Sequence, residues 1–352
     1  MRTRATSMQS VIGVVCALCV QPSFGQSVRD TDLRPPEVVP IFEQPGVLTP
    51  RGGFVLEPAV QYGHSSSNRM TVVGYTIIPT LFSPLIDVRE AKRNATIASL
   101  TARFGVSNHL ELELKVPYVY RSDDNLTRDV VNGTAVDRVF QASGKAIGDV
   151  ELAARYQFNE GGLGRPYFVG GVRVKSRTGR DPFEVVTDCT VRCAGTGTTG
   201  TGLLLNLPTG SGFYAVEPSM TWLMPADPAI LFGTFSYMHN FKRGNVSRTL
   251  LNGIKEPLGE MSPGYSFGFN VGLSMALNDK ASASIGYDHK AISRPLQNNQ
   301  PVPGSVRTQV ATIMLGLSYR VSKRRTINVS FGGGLTRDAP DVSLMVRMPI
   351  TF

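Results

Sequence analysis

The chain has 352 residues, a formal net charge of +9 and a mean hydropathy of −0.04. Its lysines and arginines are spread along the chain, which argues against a nucleic-acid-binding surface. A mean hydropathy near zero is typical of soluble proteins, but it also fits a barrel in which alternate residues of each strand face lipid.

The first residues have the pattern of an export signal. Arg2 and Arg4 precede an apolar core at 11–20, and small residues stand before Gln26, so we predict a signal peptide over 1–25 and export through the Sec pathway. The apolar core is too short to cross a bilayer as a helix. No later segment is long and apolar enough, so we expect no transmembrane helix in the mature protein.

Two of the four cysteines, Cys16 and Cys19, fall in the predicted signal. The other two, Cys189 and Cys193, are close in sequence and would reach an oxidising compartment, where a disulfide is the expected state. They have no histidine nearby and make a poor zinc site. We therefore predict a Cys189–Cys193 disulfide, no metal site and no cofactor.

Residues 26–50 are dense in proline, which neither a helix nor a sheet interior accommodates. We interpret this segment as an extended arm that lies in the periplasm or plugs the lumen of the domain that follows. That domain, 51–352, has a different pattern.

From residue 51 onward, apolar and polar residues alternate in one segment after another, as expected of strands with one apolar face. The last segment ends the chain on an aromatic residue, Phe352. The predicted strands cover 53–64, 93–106, 109–121, 146–158, 165–177, 212–224, 229–242, 263–277, 280–290, 307–321, 325–336 and 341–352.

The connections between these twelve strands alternate between short turns and long loops, and aromatic residues concentrate near the strand ends. Short turns on one side, long loops on the other and two aromatic girdles are typical of outer-membrane barrels. We therefore predict an all-β fold: a closed antiparallel 12-stranded transmembrane β-barrel of the outer membrane.

Several short stretches, in their order along the chain, resemble a known family. They are 56–62, 104–112, 116–118, 148–152, 175–179 and 207–212. The chain is similar over most of 47–352 to a family of outer-membrane β-barrel transporters labelled as proteins of the meta-pathway of phenol degradation. The resemblance implies a twelve-stranded channel and uptake of aromatic compounds.

Charged residues on the polar faces of the predicted strands are the candidate pore-lining residues, and cations outnumber anions among them. They have two compatible interpretations: cross-strand pairs that brace the wall, or a field that favours anions. The predicted pore-lining residues are Glu57, Arg103, Glu111, Glu113, Lys115, Asp149, Glu151, Arg155, Arg173, Lys175, Arg177, Glu217, Arg320 and Arg347.

We predict a channel in the Gram-negative outer membrane that passes small solutes, aromatic or anionic compounds among them, and that is not an enzyme. One alternative is a lipolytic enzyme, because His64 and Ser66 would face outward with Asn94 as a neighbour of the histidine. Another is an export pore or surface adhesin built on the long loops. Expected partners are outer-membrane lipid and lipopolysaccharide, the barrel-assembly machinery and small solutes, but not nucleic acid; a homo-oligomer is left open.

Overall fold

The computed structural model describes residues 48–66, 87–128, 137–162, 164–191, 200–302 and 305–352, and the regular elements there are β-strands. The strands are β1 (Phe54–Ser65), β2 (Asp87–Ser107), β3 (Leu110–Arg128), β4 (Asp137–Ile147), β5 (Glu151–Gln157), β6 (Tyr167–Lys175), β7 (Val186–Cys189), β8 (Gly200–Leu204), β9 (Ala215–Ala226), β10 (Ala229–Asn240), β11 (Arg243–Leu250), β12 (Lys255–Ser262), β13 (Tyr265–Ala276), β14 (Ala281–Ile292), β15 (Leu296–Gln297), β16 (Gln300–Pro301), β17 (Thr308–Ser322), β18 (Arg325–Gly334), β19 (Val342–Arg347) and β20 (Ile350–Thr351).

Most of these strands form one closed antiparallel barrel. Around the wall the order is β1, β2, β3, β5, β6, β9, β10, β13, β14, β17, β18 and β19. The ring closes where β1 pairs with β19 and β20, for example at Ala59 opposite Arg347 and Val55 opposite Thr351. The predicted twelve-stranded antiparallel barrel is confirmed, including the pairing of the last strand with the first.

Two predicted strands are interrupted in the structure. The segment predicted as 146–158 is divided between β4 and β5, which both pair with β3, and the break falls at 148–150. The last predicted strand is divided into β19 and β20 at Met348 and Pro349, because proline cannot donate to the ladder. β2 and β3 extend beyond their predicted bounds and form a long hairpin.

The side chains alternate between the two faces of the wall as the period-two pattern predicts. On β3, Leu112, Leu114 and Val116 are exposed on the outer face, while Glu111 before them is fully buried and Glu113 and Lys115 between them are half-buried. The same division runs around the barrel, so the outer surface carries the large apolar side chains and the interior carries the charges.

The long loops contain a second sheet that the sequence analysis did not predict. Six short strands pair in the order β16, β15, β12, β11, β7 and β8. A small apolar cluster of Phe183, Phe213, Val246, Leu258 and Met261 lies in the same region. We call this end of the barrel the loop end, and the opposite end, with the short turns, the turn end. Strands this short leave too few residues for a period-two pattern to be recognised.

Only the last residues of the predicted arm fall within the described part of the chain. Leu48 and Thr49 are buried, and the Gly52 amide donates to the Gly105 carbonyl at 2.7 Å, at the turn end. The rest of 26–50 lies outside the described residues, so its plugging role stays a prediction. Within the described residues, no helix is long and apolar enough to cross a membrane.

We expect Gly105→Ala to displace the segment 48–50 from the wall without opening the barrel. An added Cβ would lie 2.1 Å from the Pro50 carbonyl oxygen and 2.4 Å from that of Thr49, so the backbone must move. Loss of the hydrogen bonds of this segment, about 1–3 kcal/mol, should speed amide exchange at 48–53 by roughly tenfold to hundredfold in mass spectrometry. Gly162→Ala is the matched control, because nothing lies within 4 Å of its Cβ. Unchanged exchange in the Gly105 variant would contradict the prediction.

Candidate functional site: the barrel interior

A chain of ion pairs crosses the interior wall from β1 to β5. Arg103 on β2 donates from Nε to Glu113 on β3 at 2.8 Å, and its Nη1 and Nη2 donate to Glu57 on β1 at 3.2 and 3.3 Å. Arg155 on β5 continues the chain, with Nη2 at 2.6 Å from the same Glu113 and Nη1 at 3.0 Å from Glu111. Each guanidinium therefore bridges two carboxylates.

The chain is capped at both ends. At the turn end the amide and the hydroxyl of Thr49 both donate to Glu111. At the seam of the barrel, Arg347 on β19 places Nη1 4.0 Å from Glu57. Charges this deeply buried are costly unless paired, and removing one partner costs roughly 3–5 kcal/mol. The bracing interpretation of the charged residues therefore accounts for this half of the wall.

A shorter chain continues the pattern on the next strands. Arg173 on β6 donates from Nη2 to Glu217 on β9 at 2.6 Å, and its Nη1 lies 3.3 Å from Glu151 on β5. Lys290, on β14, interacts electrostatically with Glu217 and with Lys175 on β6. β14 stands four strands around the ring from β6, so Lys290 adds a positive charge from a separate part of the wall.

Asp149, predicted as a pore-lining residue, binds the long loop segments at the loop end of the barrel. The side chain is fully buried, and Oδ1 accepts from the Gly179 amide at 3.2 Å while Oδ2 accepts from the Ser211 amide and hydroxyl at 2.8 and 2.7 Å. Lys175 donates to the same Ser211 hydroxyl at 2.9 Å. The carboxylate thus holds together three segments that are distant in sequence.

These three segments are the stretches 148–152, 175–179 and 207–212 that carried part of the family resemblance. The last of them is buried throughout; its Pro208 carbonyl accepts from Arg121 at 3.2 Å, and the Leu207 amide donates to Ser143 on β4 at 3.0 Å. β4 pairs with β3 along one of its edges. The segment 207–212 covers the other edge of β4 and holds the long loop against the loop end of the barrel.

The barrel interior contains a cavity with about 560 Å³ of empty space, part of it open to solvent. It occupies the inner faces of β19, β1, β2 and β3, on the same wall as the first ion-pair chain. Its lining residues are Glu57, Ala59, Gln61, Ile97, Ser99, Thr101, Arg103, Glu113, Lys115, Met345 and Arg347.

The rest of the inner wall has a different chemistry. From β10 to β18 the buried inward side chains are mainly hydroxyls and amides, with Phe232 as an aromatic exception. Asp288 and Lys290 on β14 add charge to this wall. The interior thus has a charged side and a neutral polar side. The polar residues are Thr234, Ser266, Ser274, Ser282, Asn328 and Ser330.

Most predicted pore-lining residues lie on the interior face, where their role in conduction stays a prediction. Arg177 does not: it is exposed, and its guanidinium lies 5.3 Å from the ring centroid of Tyr214, an exposed outer-face residue. The inward placement of Arg177 is therefore wrong, because β6 ends at Lys175 and the alternation ends with it. Arg320 is half-buried near the turn end of β17.

The cavity also contains residues that the sequence analysis passed over. Ala59, Gln61, Ile97, Ser99, Thr101 and Met345 line it without carrying charge. Their only signal in the sequence is that they alternate with outward apolar residues. Cys189 is disulfide-bonded. Cys193 lies outside the described residues, so the Cys189–Cys193 pairing stays a prediction.

The outward polar group that motivated the lipolytic alternative is assembled in part. His64 Nδ1 lies 2.8 Å from Asn94 Oδ1, as that alternative required. The Ser66 hydroxyl, however, donates to Asp341 at 2.8 Å. The serine is thus engaged by a carboxylate, which does not activate it as histidine would. Within the described residues no cluster of His, Cys, Asp and Glu could hold a metal ion.

We expect Asp149→Asn to release the long loop while the barrel persists. The amide keeps one acceptor but loses the charge that the Gly179 and Ser211 donors stabilise, which should cost about 2–4 kcal/mol locally. Protease cleavage within 176–213 should accelerate by at least roughly tenfold, with barrel migration on unheated gels unchanged. Asp279→Asn, an exposed carboxylate in the turn between β13 and β14, is the control. Equal cleavage of both variants would contradict the anchoring role.

No protein-family model matches the chain. Among solved structures, the COG4313 outer membrane channel from Pseudomonas putida F1 aligns with a TM-score of 0.55 and 13% identity, over 87% of this chain and 98% of that one. The translocator domain of autotransporter NalP from Neisseria meningitidis aligns at 0.44 and 9%, over 86% and 88%. The β domain of the Bordetella autotransporter BrkA aligns at 0.43 and 11%, over 86% and 100%. By the first of these alignments, the chain has the fold of an outer-membrane channel.

Proposed function

We propose that this protein is a channel of the Gram-negative outer membrane that passes small solutes. The observation that carries the proposal is the division of the closed wall into an apolar outer face and a charged inner face with a cavity. Soluble proteins rarely expose a contiguous apolar surface, whereas here large apolar side chains are exposed around the whole circumference of the barrel. In lipid, the same surface is buried and the closed ladder leaves no unpaired backbone edge.

The aromatic residues support this location. Tyr62, Tyr118, Tyr120 and Tyr237 are exposed on the outer face towards the loop end, while Tyr319 and Phe352 are exposed towards the turn end. Aromatic rings at two levels are typical of the two interfaces of a membrane barrel. The proposal therefore includes contact with outer-membrane lipid and lipopolysaccharide, insertion by the barrel-assembly machinery and export through the Sec pathway.

An enzymatic role has less support. The Ser66 hydroxyl is hydrogen-bonded to Asp341, and the interior charges are paired with one another across strands. Fixed charges of this kind suit a wall that solutes pass along. An export pore or adhesin would use the long loops, which here pack around a core of their own.

The finer part of the proposal concerns the solute. We propose that anions are favoured over cations, because three cationic side chains line the cavity against two carboxylates, and Lys290 adds a positive charge to the inner face of β14. A positive excess on the wall of a pore favours anions. Uptake of aromatic compounds, as in the family that the chain resembles, is compatible with this preference.

We expect the purified protein to conduct ions in a planar bilayer and to prefer chloride to potassium in a salt gradient. Lys115→Gln combined with Lys290→Gln should lower the chloride-to-potassium permeability ratio by roughly twofold or more, because two interior positive charges are lost. Lys145→Gln, which removes an exposed charge beside Tyr120 on the outer face, should leave the ratio unchanged.

Two results would count against the proposal. If the inserted barrel carries no current, it is not a channel. If it conducts but prefers potassium, or if the Lys145 variant changes selectivity as much as the interior pair, the anion preference is wrong and only the channel stands.

A further inference from the structure

The strand register arranges the cavity in four rows across β19, β1, β2 and β3. In the row nearest the loop end, Met345 stands opposite Gln61 and Gln61 opposite Ile97. In the row nearest the turn end, Arg103 stands opposite Glu113. In the next row, Glu57 stands opposite Thr101 and Thr101 opposite Lys115. Between the row of Gln61 and the row of Glu57 lies a row with smaller side chains, which we call the middle row.

In the middle row, Arg347 stands opposite Ala59 and Ala59 opposite Ser99. Ala59 and Ser99 are the smallest side chains that line the cavity, and they lie side by side with larger residues above and below. Two small neighbours in an otherwise filled wall leave a recess. The cavity is therefore a recess whose floor is formed by Ala59 and Ser99.

The charges around this recess leave a positive excess. Three cationic side chains, Arg103, Lys115 and Arg347, line it against two carboxylates, Glu57 and Glu113, a difference of one positive charge. Arg103 is hydrogen-bonded to both glutamates, and Arg347 lies 4.0 Å from Glu57, so the five charges form one group with a net charge of plus one. Arg347 and Lys115 border the recess from different rows. This excess favours a ligand with one negative charge.

The neutral lining has two further features. Ile97 is buried and Met345 is half-buried, and with Ala59 they form an apolar side of the recess towards the loop end. Gln61, Ser99 and Thr101 add hydrogen-bonding groups around it. Sites that bind small molecules combine apolar walls with a few placed polar groups in this way.

We propose that the recess is a binding site for a small organic monoanion with an apolar body, such as a short-chain monocarboxylate. The carboxylate contacts Arg347, with Lys115 and the Ser99 and Thr101 hydroxyls nearby, and the apolar body lies against Ile97 and Met345. Because this proposal assigns a solute to the lumen, it rests on the proposed channel function. The binding itself can be measured without conduction.

Calorimetry on the full mature protein in detergent tests the site with butanoate, hexanoate and hexan-1-ol. Each added methylene should tighten binding by about fourfold, so hexanoate should bind at least roughly tenfold tighter than butanoate. Hexan-1-ol should bind more weakly than hexanoate by about tenfold or more, since it lacks the charge. Equal affinity of hexanoate and butanoate, or of hexanoate and hexan-1-ol, would overturn the proposed ligand class.

Two variants locate the site. Ser99→Leu fills the recess without changing charge and should lower hexanoate affinity at least roughly tenfold; Ser284→Leu, the same change on the inner face of β14, is its control. Arg347→Gln should remove the preference for hexanoate over hexan-1-ol, whereas Arg320→Gln, outside the cavity lining, should keep it. All four variants are checked for barrel migration on unheated gels. Wild-type affinity in Ser99→Leu, or equal losses in a variant and its control, would place binding elsewhere.

Bilayer recordings separate this proposal from the proposed function. A conducting protein that binds no hexanoate would overturn the site and leave the channel. A protein that binds hexanoate as described but carries no current would leave the site and overturn the channel. In a conducting protein, hexanoate should also reduce the chloride current, and Ser99→Leu should weaken this reduction by the same factor as it weakens binding.

Discussion

The structure depends on the pairing of β1 with β19 and β20, because this pairing closes the ring. An unpaired backbone group in lipid costs several kcal/mol, so an open edge along a whole strand would not be stable there. The seam is maintained across two prolines that cannot donate: the Met348 amide donates to the Pro58 carbonyl at 3.0 Å, and the Phe352 amide reaches Phe54 at 2.9 Å. The rings of Phe54 and Phe352 also pack, with centroids 5.9 Å apart.

Closure also explains the interior charges. Once the register is set, every second side chain points into a narrow space from which lipid is excluded, and a one-residue slip would turn those charges to the lipid. Carboxylates and guanidinium groups on neighbouring strands then meet at hydrogen-bonding distance, as Glu57, Arg103 and Glu113 do. Where the register instead brings small residues together, as at Ala59 and Ser99, the wall recedes. Bracing and binding are thus two results of the same register.

The loop end follows a different rule. β4 and β5 both pair with β3, and Asp149 lies at the break between them. Its carboxylate accepts hydrogen bonds from the loop segments that contain Gly179 and Ser211. The sequence marks these segments as glycine-rich, and the structure gives the reason at Gly210, where an added Cβ would lie 2.5 Å from Asp149 Oδ1 and 2.8 Å from the Gly179 backbone. Period-two reasoning could not find this junction, since it joins residues about 30 and 60 positions apart through one carboxylate.

The sequence by itself determined the class of fold, the number of barrel strands and the face on which most charged residues lie, because each depends on an alternation that every strand repeats locally. It also offered cross-strand pairing as one of two interpretations of the charged residues on the polar faces. Only the tertiary structure decided which carboxylate each arginine contacts, that Arg177 leaves the interior where β6 ends, and that neutral residues such as Ala59 and Ile97 line the cavity. These depend on register and on contacts between distant segments, for which a single strand carries no signal.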